Sequence, residues 1–398
     1  MTTLSPKFFF CALWLLLTGL VMGCSIPSGP IASPTSMALP SRADEQLLWQ
    51  KAEHEQRAFE SSGLIYQDQV LEDYLNQLAF RLQPRPSDLE IRVKVIRNTR
   101  LNAIAYPNGV IYIHSGLLAR MDNEAQLAAV LAHEIIHCTQ RHALRAFREA
   151  KDQPALFRTV EHTLSRTRGL QDIAGLMGIS GAIVAFSGHI RELEAEADRM
   201  GIELIARAGY DPKEALSIFD QMIYEVEEEK IEEPLSGSHP TVRQRIFNLQ
   251  NLIDTQYPEK GSEILNTEIF LAKLARLFLD NVELDIQHGR FKAARSGVEK
   301  HLRIKPDDAR AYFLLGEIYR QRQQEGDTLK ALDYYDQAVI LDPNFAVAHK
   351  AIGLIHYKAG RRTLARKFFE SCIQLAPDSP DKAYIQGYLK QCTLSEEG

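Results

Sequence analysis

The segment His133-Glu134-Ile135-Ile136-His137 constrains the fold of this chain more than any other. It sits in a run where Leu127, Val130, Leu131 and Ile135 recur at helical spacing, with Asp122 or Asn123 as N-cap candidates. Residues four apart stand one above the other on a helix, so both imidazoles can reach a single ion. Glu134 faces the same cleft at another angle, where a carboxylate can serve as base on water at the metal. A catalytic zinc needs a third protein ligand and an open fourth position. The helical stretch from Ile190 offers Glu192, Glu194, Glu196 and Asp198, with Leu193, Ala197 and Ile202 as an apolar stripe beside them. An acidic run is ordinarily a solvated face. Glu194 and Asp198 share one face, however. Glu194 could therefore ligate while Asp198 accepts a hydrogen bond from the outer nitrogen of a ligand histidine, which fixes its tautomer.

Upstream, Asp44 to Leu82 has a helical pattern, with Leu71, Leu75 and Leu78 on one face, and breaks at Gln83-Pro84-Arg85-Pro86. Two strand-like runs follow. Ile91, Val93 and Val95 alternate with Arg92 and Lys94, and Val110 to Ile113 is β-branched and aromatic. Between them lies Asn102-Ala103-Ile104-Ala105-Tyr106, closed by the turn signal Pro107-Asn108-Gly109. This pattern predicts a small antiparallel sheet of three or four strands. The stretch from Gly169 to Gly188 is glycine-rich and apolar but short for a membrane span, and reads as a buried or mobile helix over the site. His142 and His162 have no partner at ligand spacing and are expected as surface or core residues.

The final third differs in kind. Pro306, Pro343 and Pro377 close three similar segments, and an insertion within Gln323 to Asp327 restores an even period. Leu315, Gly316 and Tyr319 lead to Ala331, Tyr335 and Ala338. In the next copy Ile352, Gly353 and His356 lead to Ala365, Phe369 and Cys372. Small residues where paired helices touch, and large ones in their grooves, make this look like the tetratricopeptide (TPR) pattern. A degenerate earlier copy contains Ala294 and Val298 and ends at Pro306.

Taken with the metal motif, Glu194-Ala195-Glu196-Ala197-Asp198 resembles the ExxAD element of gluzincin zinc metallopeptidases of the HtpX and CAAX prenyl endopeptidase type. Asn102 to Gly109 resembles that family's NAxAxPxG edge strand, Gly116-Leu117-Leu118 its turn into the metal helix, and Ser238-His239-Pro240 with Arg245 its HP…R element. With the repeat tail, the likeness extends to BepA-like periplasmic proteases. Ile136 departs from the Gly or Ala usual there but removes no ligand. The resemblance implies an α+β fold, a mainly helical metallopeptidase domain with a small antiparallel sheet followed by an all-α TPR domain. It also implies one catalytic zinc on His133, His137 and Glu194, with Asp198 behind them and Glu134 as general base. His239 and Arg245 become candidates to stabilise the oxyanion, His239 also to occupy the fourth zinc position at rest. Asn102, Ala103, Ile104 and Ala105 become the strand that aligns an extended substrate by main-chain pairing.

A net charge of -6 without a basic run argues against nucleic acid as a partner. Lys7 and the uncharged run Phe8 to Met22, ending at Gly23-Cys24-Ser25, read as a signal peptide with a lipobox over residues 1–24. A Pro/Ser-rich tether over 25–43 precedes a metallopeptidase domain at 44–257 and a TPR domain at 264–394. The chain is thus expected in the bacterial envelope, held to the outer membrane by lipid on Cys24. The body holds Cys138, Cys372 and Cys392 without a CxxC pair. The last two could form a disulfide or remain isolated in apolar sites. Three functions compete: an endopeptidase for unfolded or misassembled envelope proteins whose repeats recruit partners, a latent protease acting mainly as a chaperone or assembly module, and a structural TPR scaffold with a decayed enzyme domain. The intact His133-Glu134-Ile135-Ile136-His137 motif, Glu194 and Asp198 weigh against the third.

Overall fold

The structure, a computed structural model, describes residues 42–83, 87–151, 190–229, 242–258 and 264–394. The leader, the tether, His162, the Gly169–Gly188 stretch and Ser238-His239-Pro240 lie outside these residues. From Arg42 onward the chain clusters as one compact unit. It is mostly helical, with one small sheet and a run of paired helices at its C-terminal end.

Two helices open the described chain, α1 (Arg42–Ser61) and α2 (Gln69–Leu82). The single helical stretch expected from Asp44 to Leu82 is broken near Gly63, whose φ of 74° is left-handed and ends α1. Asp68 then caps α2 by accepting from the Leu71 amide. Three strands follow, β1 (Arg92–Ile96), β2 (Ala103–Ala105) and β3 (Val110–His114).

The sheet is mixed rather than antiparallel, in the order β1-β3-β2. The turn at Pro107-Asn108-Gly109 folds β3 back on β2, as expected. β3 then inserts between β2 and β1, so β1 finds a parallel partner, Arg92 opposite Val110 through Ile96 opposite His114. Residues 97–102 cross over the end of β3 to reach β2, pinned by the Gly116 amide on the Asn98 carbonyl (2.8 Å) and the His114 amide on the Asn102 carbonyl (3.0 Å). Strand pairing of this kind depends on which strand is central, and alternation alone carries no such information.

β3 is buried along its whole length because both faces are covered. Val110 and Tyr112 pack with Ala52 and Phe59 of α1. Ile111 and Ile113 enter the main core with Val93, Val95, Leu75 and Leu78. Gly116 opens α3 (Ser115–Arg120) directly beneath the crossover, where an added β-carbon would lie 2.3 Å from the Thr99 carbonyl oxygen. Main chain cannot swing aside as a side-chain tip can. Gly116→Ala is therefore expected to destabilise the protein by about 1–3 kcal/mol, read as a lower denaturant midpoint with an unchanged slope.

Behind the sheet lies α4 (Glu124–Thr139), capped by Asn123, whose side chain accepts from the Gln126 amide at 2.9 Å. The helices α5 (His142–Lys151), α6 (Ile190–Arg207), α7 (Glu214–Glu229) and α8 (Val242–Gln256) complete this part of the core.

The repeats begin with α9 (Thr267–Gln287) and α10 (Phe291–Ile304). Phe270, Leu271, Leu274 and Phe278 of α9 belong to the core around α4, while Leu279, Val282 and Ile286 pack into the next cluster with Ala294 and Val298. Charge reinforces the junction. Buried Arg120 donates to both carboxylate oxygens of Asp285 on α9 (2.7 and 3.1 Å) and pairs with Glu225 on α7. Burial alone would lower its pKa, but Asp285 and Glu225 outweigh that and raise it above the usual value. Lys300 of α10 donates to the carbonyls of Ala119, Arg120 and Met121, which are the orphan acceptors at the end of α3.

Beyond lie α11 (Ala309–Arg322), α12 (Asp327–Leu341), α13 (Ala346–Lys358), α14 (Arg362–Leu375) and α15 (Lys382–Leu394). Gly316 faces the Tyr335 ring and Gly353 the Phe369 ring, so closely that a β-carbon would lie 2.3 and 2.7 Å from ring atoms. The small-against-large pairing seen in the sequence is thus how the hairpins close. Cys372 and Cys392 are free thiols buried in the last apolar cluster. Among the described residues no helix is long and apolar enough to cross a membrane.

Candidate metal centre

The site forms where α6 crosses α4. Gly201 makes the crossing possible: a β-carbon there would stand 3.3 Å from the His133 nitrogen and 3.4 Å from its Cα. That close approach brings the acidic start of α6 onto the two histidines of α4. The Nε2 atoms of His133 and His137 lie 3.0 Å apart. The two carboxylate oxygens of Glu194 face them separately, Oε2 at 3.4 Å from His133 Nε2 and Oε1 at 3.4 Å from His137 Nε2. Three donors held at about 2.0–2.1 Å from a tetrahedral zinc are separated by about 3.3–3.4 Å. The donor set and its spacing therefore fit one ion of that kind, and His133, His137 and Glu194 are a group that could hold a metal. Glu192, two residues earlier, is exposed.

Asp198 sits behind His133, its Oδ1 3.0 Å from Nδ1. Arg245 of α8 grips the same carboxylate with Nε (3.0 Å) and a terminal nitrogen (2.6 Å), and reaches to 3.5 Å from Glu194. Its guanidinium also lies over the Phe219 ring, 4.8 Å from the centroid. Burial would raise the Asp198 pKa, but Arg245 and His133 outweigh it and hold the carboxyl below its ordinary value. Burial and Arg245 push His133 down, while Asp198 and Glu194 outweigh both and lift it to about 9. A metal at Nε2 must displace that proton, so affinity at this site rises with pH.

Glu134 is buried and lines a cleft with His133, Asp198, Arg245 and apolar side chains of α4, α6 and α7, among them Val130, Ile202 and Met222. His133, Glu134, His137, Glu194, Asp198 and Arg245, each singled out in the sequence, are gathered here in one place. Arg245 is a buried partner of the Asp198 and Glu194 carboxylates here. His239 falls outside the described residues. β2 is an edge strand, paired only with β3 among the described residues. The bonds made by the Asn102 carbonyl and the Tyr106 amide set the alternation of the ladder, which turns the main-chain groups of Ala103 and Ala105 away from β3.

One neighbour escaped the sequence reading. His142 is fully buried, and its Nδ1 lies 3.0 Å from His137 Nδ1. The signal was present as a third histidine five residues after the second. A straight helix would have sent it elsewhere. Instead α4 ends, Arg141 takes a left-handed φ of 54°, and the chain turns back under His137.

An α+β core with a His-His-Glu group that could hold a metal, followed by a helical-repeat tail, is the class that this fold and site define. Residues 66–253 match peptidase family M48, and residues 279–344 and 322–380 match the tetratricopeptide repeat. The chain carries an M48 peptidase domain followed by TPR repeats. The beta-barrel assembly-enhancing protease of Escherichia coli is 28% identical over 236 residues, covering 56% of this chain and 47% of that protein. The protein of the same name from Yersinia pestis is 32% identical over 206 residues, 50% of this chain and 42% of the relative. The mitochondrial metalloendopeptidase OMA1 of Schizosaccharomyces pombe is 29% identical over 170 residues, covering 41% of this chain and 47% of that one. The chain therefore spans less than half the length of each of these relatives.

Proposed function

We propose that this chain is a zinc-dependent endopeptidase of the bacterial envelope that cleaves unfolded or misassembled proteins, with its repeats recruiting protein partners. The observation that carries this reading is the convergence of His133, His137 and Glu194 on one point, with Glu134 in the same cleft. When bound, zinc on such a ligand set supplies Lewis acidity toward a peptide carbonyl and makes an attacking water more acidic. Glu134 takes a proton from that water and returns it to the leaving amine. Asp198 orients His133, and Arg245 acts through Asp198 and Glu194 by neutralising their charge. His239 keeps the role expected from the sequence, as oxyanion donor or resting ligand. An extended substrate adds to the outer edge of β2, where pairing to main-chain groups makes little demand on side-chain identity.

The envelope assignment rests on the apolar leader ending at Gly23-Cys24, with lipid on Cys24 as the anchor to the outer membrane. The name shared by the bacterial relatives supports substrates from β-barrel assembly. In the test, the purified chain is expected to hold about one zinc per molecule and to cleave casein. A chelator should stop cleavage and added zinc restore it. Zinc binding without cleavage, together with protection of a denatured protein from aggregation, would favour the chaperone reading.

A further inference from the structure

Behind His133 stands the carboxylate of Asp198, 3.0 Å from Nδ1. His137 Nδ1 faces His142 Nδ1 at 3.0 Å, with the rings nearly perpendicular at 87° and their centroids 4.8 Å apart. We infer that His142 is the positioning residue for His137, and that with Glu196 it forms a relay doing for His137 what Asp198 does for His133. The inference rests on the reading above that His137 binds a metal through Nε2.

Proton count decides the tautomers. Two Nδ1 atoms in hydrogen-bond contact hold one proton between them, one as donor and one as acceptor. For Nε2 of His137 to offer a lone pair to a metal, its proton must sit on Nδ1. His142 Nδ1 is then the acceptor, and the proton of His142 is on Nε2. That atom is buried, makes no hydrogen bond within ordinary distance, and has Glu196 Oε2 3.6 Å away. Glu196 is itself steadied by Arg145, at 2.8 Å. The order Glu196, His142, His137 thus sets one tautomer and one ring orientation at the ligand.

The backbone is committed to this arrangement. Arg141 is one of three non-glycine residues with positive φ among those described, and it occupies the turn that delivers His142. Its guanidinium is tied down by Glu45 (2.8 Å) and Asp88 (2.6 Å), which come from outside α4 and α5. A conformation that L residues rarely adopt is held here by anchors on both sides of the turn's side chain.

The test compares His142→Phe, which fills the space without an acceptor, with His142→Gln, whose side-chain carbonyl can accept. Zinc affinity is measured on the full chain by competition with a chromophoric chelator. The visible spectrum of the cobalt(II)-loaded protein reports ligand geometry, and melting of the metal-free protein reports folding. His142→Phe should lose about 10–100-fold in zinc affinity and alter the cobalt spectrum. His142→Gln should recover part of both, and Glu196→Gln should show a smaller fall than His142→Phe. Glu196→Gln also keeps the test open should His142→Phe fail to fold. Wild-type affinity and spectrum in a folded His142→Phe protein would overturn the inference, as would equal losses in Phe and Gln variants. A wild-type chain that binds no zinc would overturn both this inference and the metal-site reading. One that binds zinc but cleaves nothing would overturn the peptidase reading alone.

Discussion

Glu134→Gln is expected to reduce casein cleavage at least about a hundredfold while zinc remains bound. The side chain is buried on the metal helix and lines the cleft beside His133, but it stands outside the group of three donors. Glutamine keeps the shape and can still donate or accept a hydrogen bond, yet it cannot take a proton from water at neutral pH. A ligand would be lost with its metal, whereas a base is lost with the rate alone. Zinc content and turnover measured on the same preparation separate the two. Near-normal turnover by the variant would remove Glu134 from the mechanism.

For Glu194→Ala the expected result is the reverse in kind, a protein that no longer retains zinc through dialysis. Glu194 supplies the only carboxylate in the donor group, 3.4 Å from each histidine Nε2. Without it two imidazoles remain, short of the three protein ligands that a site of this class uses. Its neighbours on α6 differ by phase. Glu192 is exposed, and Glu192→Ala should bind zinc as the wild type does. Among the described residues Glu196 approaches the site through His142, so Glu196→Ala should lose affinity modestly. Similar zinc loss in all three variants, each shown to be folded, would refute the ligand assignment.

Much of the site was legible in the chain because helical geometry is local. An interval of four places two imidazoles on one face of α4, and the same interval places Glu194 and Asp198 on one face of α6. The repeat hairpins were legible for a related reason. Gly316 and Tyr335, or Gly353 and Phe369, recur at matching places in successive copies, so size complementarity appears as a period. The sheet was legible in part. The turn at Pro107-Asn108-Gly109 dictated the β2–β3 hairpin. The partner of β1 was decided by β3 inserting between the other two strands.

The sequence by itself determined the local geometry: which helices carry the candidate donors, where a hairpin turns, and that paired-helix repeats fill the final third. Only the tertiary structure decided what lies behind those donors. His142 meets His137 because Arg141 reverses the chain in a conformation that no spacing rule reveals. Arg245 comes from α8 to hold Asp198, and Arg120 reaches across to Asp285 of the first repeat helix. These contacts join residues 47 and 165 positions apart, and their partners were available elsewhere along the chain in plenty. A buried charge must find an opposite charge in the folded state, but which one it finds depends on how the helices pack.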